Sequence, residues 1–282
     1  MDFSTILYDV DGPVATVTLN RPERKNAQSS QLLHEMDAAF SQAVDDDAVR
    51  VIVLTGAGDT FSAGHDLSGA AQAERAKLNP GLIGRYERVW DLYVEMGLRW
   101  RDLPKPTIAA VQGYCIFGGW MIATAMDLIV AADDAKFLGS HFQYFSIPYD
   151  VGPRKAKELL FEFRFMHADE ALTAGLVNRV VPRARLMEET QALAHRVAQN
   201  EPFALRLAKL SVNQAQDLMG YSTFIRSALQ TYVVMSESGA KELKDGESGR
   251  RRFATVDRAL AYEHERQQGA AGGEEGAENR SG

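Results

Sequence analysis

Phe61-Ser-Ala-Gly-His-Asp-Leu67 and, further along, Gln112-Gly-Tyr-Cys-Ile-Phe-Gly-Gly-Trp120 decide how this chain is read. Each is a short turn at the end of an apolar, β-prone run, and each leads toward a helix. Such turns leave backbone N–H groups without intrahelical acceptors. Two of them meeting at one point make a two-donor pocket suited to a carbonyl oxygen that turns negative during reaction.

The elements around these turns follow from periodicity and punctuation. Ile6–Tyr8 and Val14–Asn20 read as strands of a hairpin closed by Asp11-Gly12-Pro13. Gln28–Val44 carries Leu32, Leu33, Met36, Ala39, Phe40 and Ala43 at helical spacing. Val51–Thr55 is a short buried strand. Residues 68–82 read as a short helix and a mobile loop ending in Asn79-Pro80-Gly81, and Leu82–Arg101 as one helix. Lys105-Pro106 then stops regular structure before the strand Thr107–Val111. Gly118–Met126 is a buried helix and Leu128–Ala131 a buried strand. Beyond Pro153 the pattern is helical over Arg154–Phe161, Ala168–Ala174, Arg185–Gln199, Phe203–Ala215 and Tyr221–Ser236, with the strand Val177–Val181 between. Strand-then-helix units followed by helices indicate α/β with a parallel sheet.

Composition narrows the function. The 282 residues suffice for one sizeable core plus an appendage. A net charge of −7 argues against a nucleic-acid footprint. No run approaches the roughly eighteen apolar residues of a membrane span, and Met1-Asp-Phe-Ser-Thr lacks a signal-peptide pattern. The one cysteine, Cys115, excludes an internal disulfide framework. A cytoplasmic protein with no membrane partner is expected. No metal-ligand spacing, P-loop or Ser-His-Asp elbow is present.

In order along the chain stand Asn20-Arg-Pro22 with Lys25-Asn-Ala27, Phe61-Ser-Ala-Gly-His-Asp-Leu67, Lys105-Pro-Thr-Ile-Ala-Ala-Val-Gln-Gly113, Gly118-Gly119, Asp127-Leu-Ile-Val-Ala131 and Ala171-Leu-Thr-Ala-Gly-Leu-Val-Asn178. This ordered set resembles the enoyl-CoA hydratase/isomerase (crotonase) superfamily from about residue 5 to 255. The resemblance implies an α/β fold, a crotonase-like spiral of four ββα turns with a helical C-terminal trimerisation region, assembled as a homo-trimer or hexamer. On this reading residues 1–200 form the acyl-CoA-binding core, 201–267 the helical C-terminal region, and 268–282, small and acidic, a disordered tail. It also implies an acyl-CoA thioester substrate, with coenzyme A entering as part of that substrate and no tightly bound cofactor. The two oxyanion donors map onto the backbone N–H groups of His65 and Gly118. Arg24, Lys25, Ala27, Ala63, Asp66 and Leu67 would line the CoA channel, with Gly119 and Met121 beside the acyl group.

The acid and base stay open at this point. The family's hydratases carry two glutamates; the first position is Met121 here, and the segment after Phe137 that should hold the second contains none. Methionine transfers no proton. The titratable groups in that segment are His141 and Asp150. Asp150 sits in Tyr149-Asp-Val-Gly152, a turn similar to that of the dienoyl-CoA isomerase branch, where burial among Phe142, Tyr144, Phe145 and Tyr149 would make it a better base. The plain alternative is a cap or dipole partner for the helix opened by Pro153. A histidine such as His141 resembles the diketone-cleaving hydrolases of the superfamily. Three functions follow: a hydratase/isomerase-type enzyme using Asp150, a C–C-bond or thioester hydrolase using His141 with Asp150, and a non-catalytic acyl-CoA binding protein. Asp127 reads as structural, Trp90, Trp100 and Phe117 as core or cavity wall, and Arg250-Arg-Arg252 with Lys241 and Lys244 as a solvated helix face.

Overall fold

A computed structural model of the chain describes residues 2–78, 81–140, 144–237, 243–244, 251–252 and 256–266. The chain opens with a hairpin of β1 (Ile6–Asp11) and β2 (Val14–Leu19), paired antiparallel from Ile6↔Leu19 to Asp11↔Val14. Gly12 turns it at φ +54, a conformation glycine reaches without strain. Next come α1 (Ser30–Asp45), β3 (Val51–Gly56), α2 (Gly69–Leu78), α3 (Gly81–Val89), a π-helical run Trp90–Glu95 and α4 (Met96–Arg101). The middle holds β4 (Thr107–Val111), β5 (Tyr114–Ile116), α5 (Gly118–Thr124), β6 (Leu128–Ala132) and β7 (Lys136–Leu138). Then follow α6 (Ile147–Asp150), α7 (Pro153–Glu162), β8 (Met166–His167), α8 (Ala168–Thr173), β9 (Arg179–Val181), α9 (Leu186–Ala198), α10 (Pro202–Leu218) and α11 (Tyr221–Glu237). A ribbon of β10 (Leu243–Lys244) and β11 (Arg251–Arg252) precedes a last helix, α12, over 256–266.

Six strands form one sheet in the order β1-β2-β3-β4-β6-β9, parallel from β2 onward. Its central strands are buried on both faces, as expected where helices cover a parallel sheet. Val14, Val51, Val53, Ile108, Ala110, Val130 and Ala132 meet α9 through Leu186, Leu193 and Ala194. The opposite face, with Val17, Leu19, Ile52, Leu54, Ala109 and Val111, joins the large core that includes the apolar stripe of α1. Ser29 caps α1 by accepting from Leu32 N.

A second, smaller layer explains the spiral. β5 pairs parallel with β7, and β7 antiparallel with β8. Two single bridges extend this layer: Ser62 with Cys115, and Gln28 with His65. Each repeat thus runs from a strand of the large sheet, through a short strand or bridge of the small layer, into a helix. The fold is α/β, a ββα spiral with a helical C-terminal region.

Several expectations need correction. The helix expected over Leu82–Arg101 is interrupted by the π-helical run Trp90–Glu95, a wider turn that periodicity does not mark. Residues 68–82 contain a helix from Gly69 and the start of α3 at Gly81; Asn79 and Pro80 lie outside the described residues. The basic cluster is not a helix face: Lys244 and Arg251–Arg252 sit on the β10–β11 ribbon, while Lys241 and Arg250 lie outside the described residues. The expected tail 268–282 also lies outside them. α10 buries none of its residues and exposes Phe203, Leu207, Leu210 and Val212. Among the described residues no helix is long and apolar enough to cross a membrane.

Candidate active site

The two turns are laced together residue by residue. Phe61 N donates to Gln112 O (2.8 Å), Ser62 N to Tyr114 O (3.0 Å) and Ile116 N back to Ser62 O (3.0 Å). Beneath them Asn26, fully buried, donates from Nδ2 to Ala57 O and Thr60 O. Ser62 Oγ donates to Asn26 O and accepts from Gly64 N. Gln28 N donates to Gly64 O (2.8 Å), and Asp66 N to Gln28 O (2.9 Å), so the chain on both sides of His65 is clamped to Gln28.

Two glycines allow the close approach. Gly64 has φ +85, and a Cβ there would stand 2.7 Å from Ile116 O and 3.2 Å from Gly118 N. A Cβ on Gly118 would stand 2.4 Å from Gln28 Oε1 and 2.8 Å from His65 Cε1. Phe117, just before it, is held at φ 46 and ψ −100, an uncommon conformation for a bulky side chain and the kind found where surrounding structure dictates the backbone. Phe117 N is anchored on Leu138 O at 2.8 Å. Gly118 then opens α5, where a first-turn N–H has no acceptor within the helix. The His65 ring packs on Tyr93 at 4.1 Å between centroids. Residues 65 and 118 are therefore brought together.

Asp150 ends α6. Its Oδ2 accepts from Trp120 Nε1 at 2.8 Å and from Ser146 Oγ at 2.7 Å. Burial pushes its pKa up from 3.8 to about 6, prevailing over the two hydrogen bonds, which favour the anion. The capping alternative fails: Gly152 is the N-cap of α7, which has no side-chain cap bond, and the Asp150 carboxylate bonds to Trp120 and Ser146 instead. Tyr144 OH and Tyr221 OH share a hydrogen bond at 2.9 Å, and Tyr149 packs on Tyr221 at 5.0 Å. The aromatic wall thus includes Tyr221 and Phe224 of α11, which the sequence reading did not single out. Trp120 and Ser146 were also missed as site residues; nothing local marks the Trp120 contact across thirty residues of chain, while Ser146 lies only four residues before Asp150. His141 and Phe142 lie outside the described residues.

The family model described as enoyl-CoA hydratase/isomerase matches residues 9–246. A Mycobacterium tuberculosis protein named as a candidate enoyl-CoA hydratase, EchA13, is 40% identical over 245 residues, covering 78% of this chain and 77% of that one. The chain belongs to the enoyl-CoA hydratase/isomerase family. Solved structures agree. A candidate enoyl-CoA hydratase from Mycobacterium smegmatis is 42% identical with a TM-score of 0.78, over 84% of this chain and 96% of that one. Another, from Mycobacterium thermoresistibile, is 45% identical with a TM-score of 0.77, over 83% and 97%.

On this enoyl-CoA hydratase/isomerase frame the other expected residues fall into two groups. Arg24 ends the 3₁₀ turn Pro22–Arg24, and Lys25, in the left-handed region at φ 50, lays its Nζ over the Tyr114 ring at 5.3 Å. Ala27 N donates to Arg24 O at 3.1 Å and Ala63 N to Lys25 O at 2.9 Å, and Leu67 is exposed. Asp66 is instead engaged internally: it accepts from Arg21 Nη2 at 3.0 Å and from Ser68 N at 2.9 Å. Burial alone would raise its pKa, but these Ser68 and Arg21 contacts bring it below the usual value. Gly119 packs under Ser62, where a Cβ would meet Ser62 O at 2.6 Å. Met121 joins the core at 8% exposure. Asp127 is structural, accepting from Thr107 and from Lys209 Nζ at 2.8 Å. Trp100 is core, donating from Nε1 to Asp37. Trp90 is partly buried and stacks on Tyr86.

Proposed function

We propose that this chain is an acyl-CoA enzyme that shifts a proton along an enoyl thioester, an isomerase-type reaction. The base removes a proton next to the thioester carbonyl. The electron pair passes onto the carbonyl oxygen, and the backbone N–H groups of His65 and Gly118 stabilise that oxyanion. Removing one such donor costs roughly 3–4 kcal/mol of transition-state stabilisation. Return of the proton at the far end of the allylic system moves the double bond and restores the base.

Asp150 is the base in this reading. The observation that carries it is a single carboxylate raised to about 6 and held by a residue of the helix that Gly118 opens. An apparent pKa near neutrality suits general acid–base work. Addition of water by paired glutamates is disfavoured, because Met121 occupies the position of the first. Coenzyme A is part of the substrate, its approach lined by Arg24, Lys25, Ala27, Ala63 and Leu67. A homo-trimer or hexamer is supported by the exposed apolar residues of α10.

Asp150→Asn tests the reading in parallel isomerase and hydratase assays on an enoyl-CoA panel. Loss of isomerase turnover by roughly 10²-fold or more is expected. Unchanged turnover would remove Asp150 from the chemistry, and release of a free carboxylic acid would point to the hydrolase alternative.

A further inference from the structure

We infer that Trp120 is the positioning residue that fixes the base against the oxyanion donors, with Ser146 supplying the second restraint; this rests on Asp150 being the base. Trp120 follows Gly118 by two residues on α5, a rise of about 3 Å along the axis. One short helix therefore carries both the donor to the oxyanion and the donor to the base. Any shift of α5 moves the two together and preserves their separation.

Both restraints fall on one oxygen. Trp120 Nε1 and Ser146 Oγ reach Oδ2, at 2.8 and 2.7 Å. Among the described residues Oδ1 has no hydrogen-bond partner. A carboxylate tethered through one oxygen keeps the other for proton transfer, in a fixed orientation. The tethers are themselves immobile. The Trp120 indole is 2% exposed and meets Phe137 edge-on at 5.9 Å. Ser146, fully buried and donating its one proton to Asp150, accepts from Thr124 Oγ1 at 3.1 Å, the Thr124 hydroxyl proton being shared between Ser146 Oγ and Trp120 O. The loop of the base is thus tied to α5 at Trp120 and again at Thr124.

Among the described residues, the titratable and charged groups around Asp150 are few. Tyr144 on its own loop and Tyr221 of α11 are both pushed up by burial and stay neutral. Arg101 of α4 stands over the Tyr221 ring at 4.5 Å and is paired with Asp102 and Asp217. None of these donates to the carboxylate, so the indole N–H and the Ser146 hydroxyl are its direct stabilisers.

Trp120→Phe and Ser146→Ala in the full-length enzyme test the inference through pH profiles of kcat/KM with an enoyl-CoA substrate. Each variant should move the acid limb upward by about one pH unit, because one donor to the anion is lost, and lower kcat while KM stays within about twofold. A wild-type profile in both variants, with Asp150→Asn inactive, would overturn the positioning role and leave the base in place. An active Asp150→Asn would instead overturn the base itself. Should Trp120→Phe fail to fold, ¹H–¹⁵N spectra of the wild-type indole groups decide. One indole N–H resonance should titrate with a midpoint near 6 and lose that step in Asp150→Asn. Three flat indole titrations would contradict the link.

Discussion

The indole Nε1 of Trp120 donates a 2.8 Å hydrogen bond to Oδ2 of Asp150, joining the helix of Gly118 to the loop thirty residues later. Burial lifts the carboxylate to about 6 while this bond and that of Ser146 limit the rise. A base of this kind is ionised at neutral pH yet retains enough basicity to take a proton.

That balance sets the pH dependence of rate. With a free-enzyme pKa near 6, kcat/KM for the enoyl-CoA substrate should level off above pH 7 and fall about tenfold per unit below pH 6. Steady-state profiles over pH 4.5–8.5 measure this. A plateau extending down to pH 4.5 would mean that Asp150 is not the titrating base.

The same shift predicts a stability cost. The folded-state pKa of about 6 lies above the ordinary 3.8, so folding favours the protonated form. The resulting stabilisation is complete below 3.8, declines as pH rises and is lost above about 6, a change of about 3 kcal/mol. Asp150→Asn keeps an acceptor for Trp120 and carries no charge. Its Tm relative to wild type should therefore rise between pH 4 and pH 7, measured by calorimetry; a constant difference would contradict this.

Gly118→Ala should damage catalysis more than folding. Its Cβ would fall 2.4 Å from Gln28 Oε1 and 2.8 Å from His65 Cε1, so the two turns must part. Loss of roughly 10²–10³ in kcat/KM is expected if one donor leaves the oxyanion, with circular dichroism unchanged. Wild-type turnover in the variant would argue against the paired-amide pocket.

How much of this was legible in sequence depends on range. The stripe Leu32, Leu33, Met36, Ala39, Phe40 and Ala43 announces α1 because helical packing repeats within a few residues. The two turns announce themselves through Gly64, Gly118 and Gly119, whose missing side chains the structure requires. The small layer did not, because β5 and β7 are three residues each and lie below any periodicity. Asp150 could be named, but not its partners: Trp120 reads as one more apolar residue of a buried helix, and Tyr221 meets Tyr144 only after 77 residues of chain. Pairings of that range are made by the fold rather than by local pattern.

Away from the site, Arg164 and Glu170 form a two-armed pair, both contacts at 2.7 Å, with Arg164 only 11% exposed. Arg164 also contacts Glu158. The Arg164 bonds hold Glu170 near 2, below the ordinary 4.5. Its stabilisation is present above 4.5 and is lost as pH falls toward 2. Glu170→Gln should cost about 2 kcal/mol at pH 7 by leaving the guanidinium short of its partner, as read by urea denaturation. Near pH 2.5 the difference should shrink.

Isotope exchange in D₂O tests most directly whether Asp150 moves the proton at a carbon activated through residues 65 and 118. Wild-type enzyme should wash deuterium into the acyl-CoA beside the thioester carbonyl, seen by mass spectrometry, and Asp150→Asn should slow this by at least roughly 10²-fold while still binding the thioester. Exchange at the wild-type rate in Asp150→Asn would contradict the account.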